Sequence, residues 1–400
     1  MFKRASTIRA VNAAGLAAIS TQTIRHASNR AVRAQSAVFT ETGEPSKVLR
    51  VVDHEIGPAD ALTGTQALIR MLAAPVNPSD LNQIEGVYPV KARFASGLVH
   101  GQLAAVGGNE GVGEVLASGP ESGLRVGDWV VPRSSGMFGT WATHAVVASD
   151  DAVVRIPHDW LRGGNVAVQA LDVATVKVNP STAYRMLRDF CQLRAGDCVV
   201  QNGANSGVGR AVIQLAREMG VRTINVVRRR DDFDSLAAEL EQLGADAVVM
   251  DTELADSAVR DQILRRLDSP AVRLGFNCVG GRPTLLMTRL LSQGATLVSY
   301  GAMARQPLTL PTSLLLFGDL RARGFWMNRW YTDNIDSPER SAMWEHILRL
   351  TAAAKFVAQP MVKVEWPASA PMLPAEMAEA RVREAVAWSS GAKHAFVFSS

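Results

Sequence analysis

The chain has 400 residues, 47% apolar and 20% charged, with 42 Lys and Arg against 38 Asp and Glu. That is too apolar for a disordered chain and long enough for two domains, since one core rarely serves more than about 250 to 300 residues. Cys191, Cys198 and Cys278 make neither a disulfide framework nor a CxxC metal site, the seven histidines include no HxxxH or HExxH pair, and no run of about 18 apolar residues marks a membrane span.

The first 40 residues hold no Asp or Glu, while Lys3, Arg4, Arg9, Arg25, Arg30 and Arg33 are spread among Ala, Ser and Thr. This is the composition of a mitochondrial presequence, expected over residues 1–35 and implying a matrix destination. Removing it takes the formal net charge from +4 to −2. The basic pI therefore belongs mostly to the leader, which argues against nucleic-acid binding by the remaining chain.

From Ser36 to about Val178 short β-like runs alternate with Gly, Pro and Asn, predicting a rolled antiparallel β-domain. Residues 85–107, with Tyr88 and Pro89, read as a long irregular connection of the kind that is usually functional. Near Asn179 the rhythm changes. Strands at CVVQN, TINVV, AVVM, LGFNCVG and TLVSYG, with helices over 233–243 and 283–293, predict an α/β unit with a doubly wound parallel sheet over 179–332. From Asp333 a helix around 339–351, the strand in PMVKVEWP, a helix near 374–388 and the strand AFVFS are expected to complete the first domain, which then comprises 36–178 and 333–400.

The stretch VVQNGANSGVG (199–209) runs from a strand through a small-residue turn into a helix whose Val208, Val212, Leu215, Ala216 and Met219 share one face, leaving Arg210 and Arg217 outward. A helix start over a strand end offers unpaired N–H groups and a positive dipole to a phosphate. With Gly209 as the last glycine of G-x-G-x-x-G, Ala204 and Ser206 stand in the other two glycine places, so an ordinary strand–turn–helix also satisfies the pattern. The second strand ends in Arg228, Arg229 and Arg230, where an NAD site would carry an acid. Planar guanidinium groups favour a ribose 2′-phosphate and hence NADPH. The alternative is a solvated charge run, with Asp231 and Asp232 capping the next helix or bonding a ribose.

The peptides LAAPVNPSD (72–80), VGGNEGVGEV (106–115), VNPSTAYRML (178–187), QNGANSGVGRAVIQLA (201–216), NCVGG (277–281), YGAMARQP (300–307) and RGFWMNRW (323–330) resemble the zinc-free, quinone oxidoreductase-like branch of the medium-chain dehydrogenase/reductase superfamily, and within it the mitochondrial trans-2-enoyl-CoA/acyl-carrier-protein reductases. The resemblance implies a GroES-like β-rich catalytic domain with a Rossmann cofactor domain, and NADPH-dependent reduction of enoyl thioesters of acyl carrier protein or CoA in mitochondrial fatty acid synthesis. Zinc members carry a Cys near Val76 and Asn77 and a His at Asn109; without these no catalytic zinc is expected. Glu85-Gly86-Val87-Tyr88 is similar to the family's tyrosine motif, which makes Tyr88 the catalytic candidate: hydride addition to the β-carbon leaves an enolate that needs a hydrogen-bond donor and a proton at the α-carbon. The resemblance further implies cofactor contacts from Asn179, Asn205, Ser206, Gly207 and Val208, from Arg228, Arg229 and Arg230, from Tyr300, Gly301, Ala302 and Met303, from Phe325, Trp326 and Met327, and from Lys393. Trp326 would also wall the acyl pocket. Asn77 and Asp80 are expected to hold turns, and a homodimer is expected through a sheet edge around residues 323–326. The alternatives are an NADPH:quinone reductase of the same superfamily and a non-catalytic NADPH- or RNA-binding member.

Overall fold

The computed structural model describes residues 31–162, 164–387 and 392–399; all but the last five residues of the expected presequence lie outside them. The fold begins at Val32, earlier than the boundary read from composition. Strand Val32–Phe39 pairs antiparallel with Arg50–Ile56, and Gln35, fully buried, donates to Asp53 Oδ1 and the Leu373 carbonyl while accepting from Trp366 Nε1. A buried amide so completely used belongs to the folded body, and composition alone carries no sign of it.

Two sheets make the N-terminal part. Arg50–Ile56, Val32–Phe39, Gln102–Val106 and Ala95–Val99 form one. The other runs Val362–Glu365, His394–Val397, Gln66–Pro75, Val112–Ser118, Trp129–Pro132 and Val153–Ile156, with His144–Ala148 also on Gln66–Pro75. The C-terminal strands thus extend the N-terminal sheet, with Ala395 opposite Pro75. Residues 85–107 are more regular than expected, because Ala95–Val99 and Gln102–Val106 form a hairpin. Gly97 and Ser96 interrupt its alternation, and Gly101 turns it with a φ of +70°. Trp141 and Trp366, both buried, pack edge-on against Phe396 at 5.5 Å and fill the space beneath the sheets.

Residues 198–324 carry a six-stranded parallel sheet: Ala247–Met250, Arg222–Val227, Cys198–Asn202, Val272–Asn277, Thr296–Ser299, Arg321–Gly324. In chain order the strands read 3-2-1-4-5-6, the Rossmann arrangement, which puts its crevice at the C-terminal end of Cys198–Asn202. Helix Ser257–Arg266 buries none of its residues, so no strong apolar stripe marks it in the sequence. Helix Pro338–Ala352 contributes Met343, Trp344, Ile347 and Leu348 to a core shared with helix Asn179–Asp189 and with Val208, Val212 and Leu215 of Gly207–Glu218. That shared core fixes the two parts against each other around one cleft. Among the described residues no helix is long and apolar enough to cross a membrane.

Candidate active site

The crevice is built on the turn after strand Cys198–Asn202. Gly203 holds a φ of +60°, and a Cβ there would sit 2.6 Å from Cys278 Sγ; a Cβ on Gly209 would sit 2.5 Å from the Ala204 carbonyl oxygen. The helix therefore starts in direct contact with the turn. Ser206 caps it, its hydroxyl accepting from Gly209 N at 3.2 Å, while Val208 packs into the core and presents only its backbone to the crevice. Asn202 and Asn277 lock the neighbouring strand ends: Asn202 Nδ2 donates to Asn277 Oδ1 at 2.9 Å, and that oxygen also accepts from Val279 N and Gly280 N.

Arg210 does not face outward as its helical position suggests. Its guanidinium is paired at 2.8 and 2.9 Å with Glu239 of helix Phe233–Leu243, and its Nε donates to the Asn205 carbonyl. The partner lies on another element, invisible to helical periodicity, and the pair braces the turn in a forked geometry.

A cavity of about 300 Å³ opens beside this turn between Asn205, Arg210, Arg230, Gln359 and Lys393. Its chemistry fits a dinucleotide. The helix start supplies the free backbone donors and dipole that a pyrophosphate needs. Asn179 Nδ2 comes so near Gly207 that a Cβ there would be 2.8 Å from it, and Gln359 Oε1 would be 2.5 Å away. Only glycine lets the backbone be approached this closely. Arg228 and Arg229 follow directly on strand Arg222–Val227, exposed, with no side-chain partner for either guanidinium among the described residues. Arg230 is instead paired with Asp232, which both neutralises that acid and occupies one of the three candidate guanidinium groups.

Further along the crevice Tyr300 opens the turn after strand Thr296–Ser299. Its phenol lies against Cys278 and Ser206, and burial pushes it well above the ordinary tyrosine range. Gly301, Ala302 and Met303 are exposed. Phe325 stands edge-on to Phe190 at 5.9 Å, and a second cavity of about 440 Å³ opens among Phe325, Trp326, Arg329 and Trp330. Met327 does not join them. It is buried in the core with Tyr331 and Trp344, because it begins helix Met327–Asp333 on the inward face.

Tyr88 meets this wall from the β-rich side. Its phenol oxygen accepts from Trp326 Nε1 at 2.9 Å and from Asn328 Nδ2 at 3.3 Å, with the Tyr88 and Trp326 rings edge to face at 6.1 Å. Burial raises the Tyr88 phenol above its ordinary value, and these two donors oppose the rise. The segment carrying it is tied down: Val87 N and Tyr88 N both donate to the Asn82 carbonyl, Gln83 Nε2 to the Val90 carbonyl and Lys91 Nζ to the Gly86 carbonyl.

Beneath Tyr88 lies a buried polar network that the sequence did not disclose. Asp80 Oδ2 accepts from Asn77 N at 2.8 Å, holding the start of helix Pro78–Ile84. Asn109 Nδ2 donates to Asp80 Oδ1 and to Gln83 Oε1, while its Oδ1 accepts from Gly136 N. Glu110 accepts from Asn77 Nδ2 and from Val178 N, and Lys393 Nζ donates to Asn77 Oδ1 at 2.7 Å. Lys177, fully buried, faces the Asn109 carbonyl. Burial pushes Asp80 and Glu110 up and Lys393 down, and takes Lys177 to about 8; the opposite charges counter each shift. Asn109 thus takes the place of the zinc members' histidine and spends its amide on three neighbours. Asn77 and Asp80 do more than hold a turn, and Lys393 joins the network to the dinucleotide groove, whose lining it shares with Asn179 and Gly207. Glu110 and Gln83 sit beside other polar residues and Lys177 between two valines, patterns whose spacing cannot be distinguished from that of surface residues.

The chain matches the alcohol dehydrogenase GroES-like domain over residues 63–158 and the zinc-binding dehydrogenase family over 207–348. It is 44% identical to the mitochondrial enoyl-[acyl-carrier-protein] reductase of Homo sapiens over 78% of this chain and 77% of that protein, and 40% identical to the Caenorhabditis elegans enzyme of the same name over 85% and 91%. The mitochondrial 2-enoyl thioester reductase Etr1p/Etr2p heterodimer from Candida tropicalis superposes with a TM-score of 0.84 at 30% identity, over 92% of this chain and 100% of that one; a complex of Etr1p with NADP and crotonyl-CoA gives the same values. A putative NADPH:quinone reductase from Bacillus thuringiensis has a TM-score of 0.70 at 22% identity, over 92% and 99%, and shares the fold.

Proposed function

The chain belongs to the mitochondrial enoyl-[acyl-carrier-protein] reductases, and from that premise we propose that it reduces trans-2-enoyl thioesters with NADPH, using Tyr88 as proton donor. It is an NADPH-dependent enoyl thioester reductase of the mitochondrion, acting on esters of acyl carrier protein or CoA. NADPH, when bound, supplies a hydride to the β-carbon of the enoyl thioester. Asn179, Asn205, Ser206 and the N–H groups of Gly207 and Val208 would receive its pyrophosphate, Arg228 and Arg229 its 2′-phosphate, and the backbone of Tyr300 to Met303 with Phe325 its nicotinamide end. Lys393 closes the groove. The acyl chain lies along Trp326 in the aromatic cavity.

The observation that carries the assignment is the bonding of the Tyr88 oxygen. Both neighbours donate to it, the Trp326 indole N–H and the Asn328 amide N–H, so its own proton is left to point into the cleft. There it can stabilise the negative oxygen that develops on the thioester and protonate the α-carbon. The test is NADPH oxidation with crotonyl-CoA and with a small quinone. Tyr88→Phe is expected to lower kcat with crotonyl-CoA about 10²- to 10⁴-fold, the usual worth of a general acid, with NADPH affinity kept. Unchanged turnover removes Tyr88 from the mechanism, and turnover of quinone alone overturns the substrate class.

The leader composition supports a matrix location, with the folded chain starting at Val32 rather than after 35. The two folding units are assigned as 32–178 with 333–400, and 179–332. A homodimer is supported by the outer edge of strand Arg321–Gly324, which no strand pairs among the described residues and all four of whose residues are exposed.

A further inference from the structure

Asn328 lies two residues beyond Trp326, in the first turn of helix Met327–Asp333, and is half-buried at the mouth of the cleft. Its amide is held at both ends. Ser135, from the loop after strand Trp129–Pro132, donates its hydroxyl to Asn328 Oδ1 at 2.9 Å, which turns the Nδ2 end toward the Tyr88 oxygen at 3.3 Å. The Ser135 loop is itself anchored, since the next residue, Gly136, gives its N–H to Asn109 Oδ1. Asn109 in turn grips Asp80 and Gln83 on the helix that leads into Tyr88. A closed ring of hydrogen bonds therefore runs from the Tyr88 helix through Asn109 and the 135–136 loop to Asn328 and back to the phenol.

A phenol oxygen has one proton to give and two lone pairs to receive. Trp326 fills one lone pair with a donor that cannot reverse, because an indole has no acceptor. An amide can reverse: turned over, Asn328 would offer Oδ1 to the phenol and take the proton away from the cleft. The Ser135 hydroxyl, donating to Oδ1, satisfies the present orientation and would have to rotate its own proton away and accept instead for the amide to turn.

We propose that Asn328, oriented by Ser135, is a positioning residue that fills the second lone pair of Tyr88 and so directs the phenolic proton to the substrate. This rests on Tyr88 being the proton donor, and the test separates the two. In Asn328→Leu the second donor is lost, and kcat with crotonyl-CoA falls about 3- to 10-fold, the worth of one such hydrogen bond, while the dissociation constant for NADPH measured by fluorescence stays within twofold. In Asn328→Asp a carboxylate accepts the phenol proton, and kcat falls further than in Asn328→Leu. Ser135→Ala releases the amide and lowers kcat in the same direction. In the Tyr88→Phe background, Asn328→Leu has no additional effect on kcat, a non-additivity that loss of packing would not produce. If Tyr88→Phe itself keeps wild-type kcat, the proton-donor reading falls and this inference with it. If Tyr88→Phe is slow but Asn328→Leu is within twofold of wild type, or if the two losses multiply, the positioning role of Asn328 alone is overturned.

Discussion

Arg228 stands one residue past the end of strand Arg222–Val227, exposed and without a carboxylate partner, whereas Arg230 two positions on is committed to Asp232. A free guanidinium can wrap a 2′-phosphate without first giving up an ion pair, so in the proposed site the selectivity for NADPH over NADH is assigned chiefly to Arg228 and Arg229. A charge-assisted hydrogen bond is worth about 1.5 to 3 kcal/mol, which converts to roughly 10- to 150-fold. Arg228→Ala is therefore expected to raise KM for NADPH by about that factor and to leave KM for NADH nearly unchanged; an equal rise for both cofactors would remove the 2′-phosphate role. The arginine run stands out in the sequence as a candidate because three like charges follow one strand end, but its pattern does not show that Arg230 is spent on Asp232. Asn109, Glu110 and Lys177 do not stand out, since a buried ion network is assembled from residues far apart in sequence and each member alone looks like a surface residue. Met327 erred in the other direction: its neighbours Phe325 and Trp326 line the crevice, and only the start of a helix turns it inward.

At the scale of elements, strand Arg50–Ile56 and strand His144–Ala148 place His54 and His144 on a shared cavity of about 470 Å³ between the two sheets. Burial takes the His144 imidazole down to about 4, with the nearby Arg70 and His54 adding to the fall, and burial lowers His54 as well. In the unfolded chain the same imidazole titrates near 6.5. The depressed value means that the unfolded chain binds a proton that the fold refuses. The His144 contribution is thus intact above about 6.5 and is lost as the pH falls toward 4, at a total cost on the order of 3 kcal/mol. Urea denaturation is expected to show a midpoint that drops between pH 7 and pH 5, with a shallower drop in His144→Gln; identical slopes would refute the assignment. The strands themselves were largely legible, because alternation and turn residues are local properties. The hairpin of Ala95–Val99 and Gln102–Val106 was missed, since its pairing with Val32–Phe39 comes from sheet context rather than from its own pattern.

For the whole molecule, the order of strands in the parallel sheet leaves Arg321–Gly324 bonded to Thr296–Ser299 on one side and open on the other. An open edge is a template for pairing, which natural sheets cover or blunt. Here the residues beside it do the opposite. Helix Thr312–Leu316 and its C-cap put Leu316 and Phe317 into solvent at 70% and 79% exposure, apolar surface that a monomer gains nothing by displaying. An edge strand flanked by such side chains suits a two-fold contact in which each copy extends the other's sheet and buries the other's Phe317, and an isologous contact of this kind closes at two copies. The arginines at 321 and 323 would sit at its rim. Replacing Leu316 and Phe317 together by Glu places buried, unpaired charge in that contact, at a cost of several kcal/mol per site, and converts the dimer to a monomer at micromolar concentration. Sedimentation equilibrium measures it: wild-type chain is expected at twice the monomer mass and the double variant at the monomer mass, both with unaltered far-ultraviolet circular dichroism. A wild-type monomer would overturn the dimer, and a variant that stays dimeric would place the association surface away from this edge, which among the described residues is where the sheet's open strand lies near exposed aromatic surface.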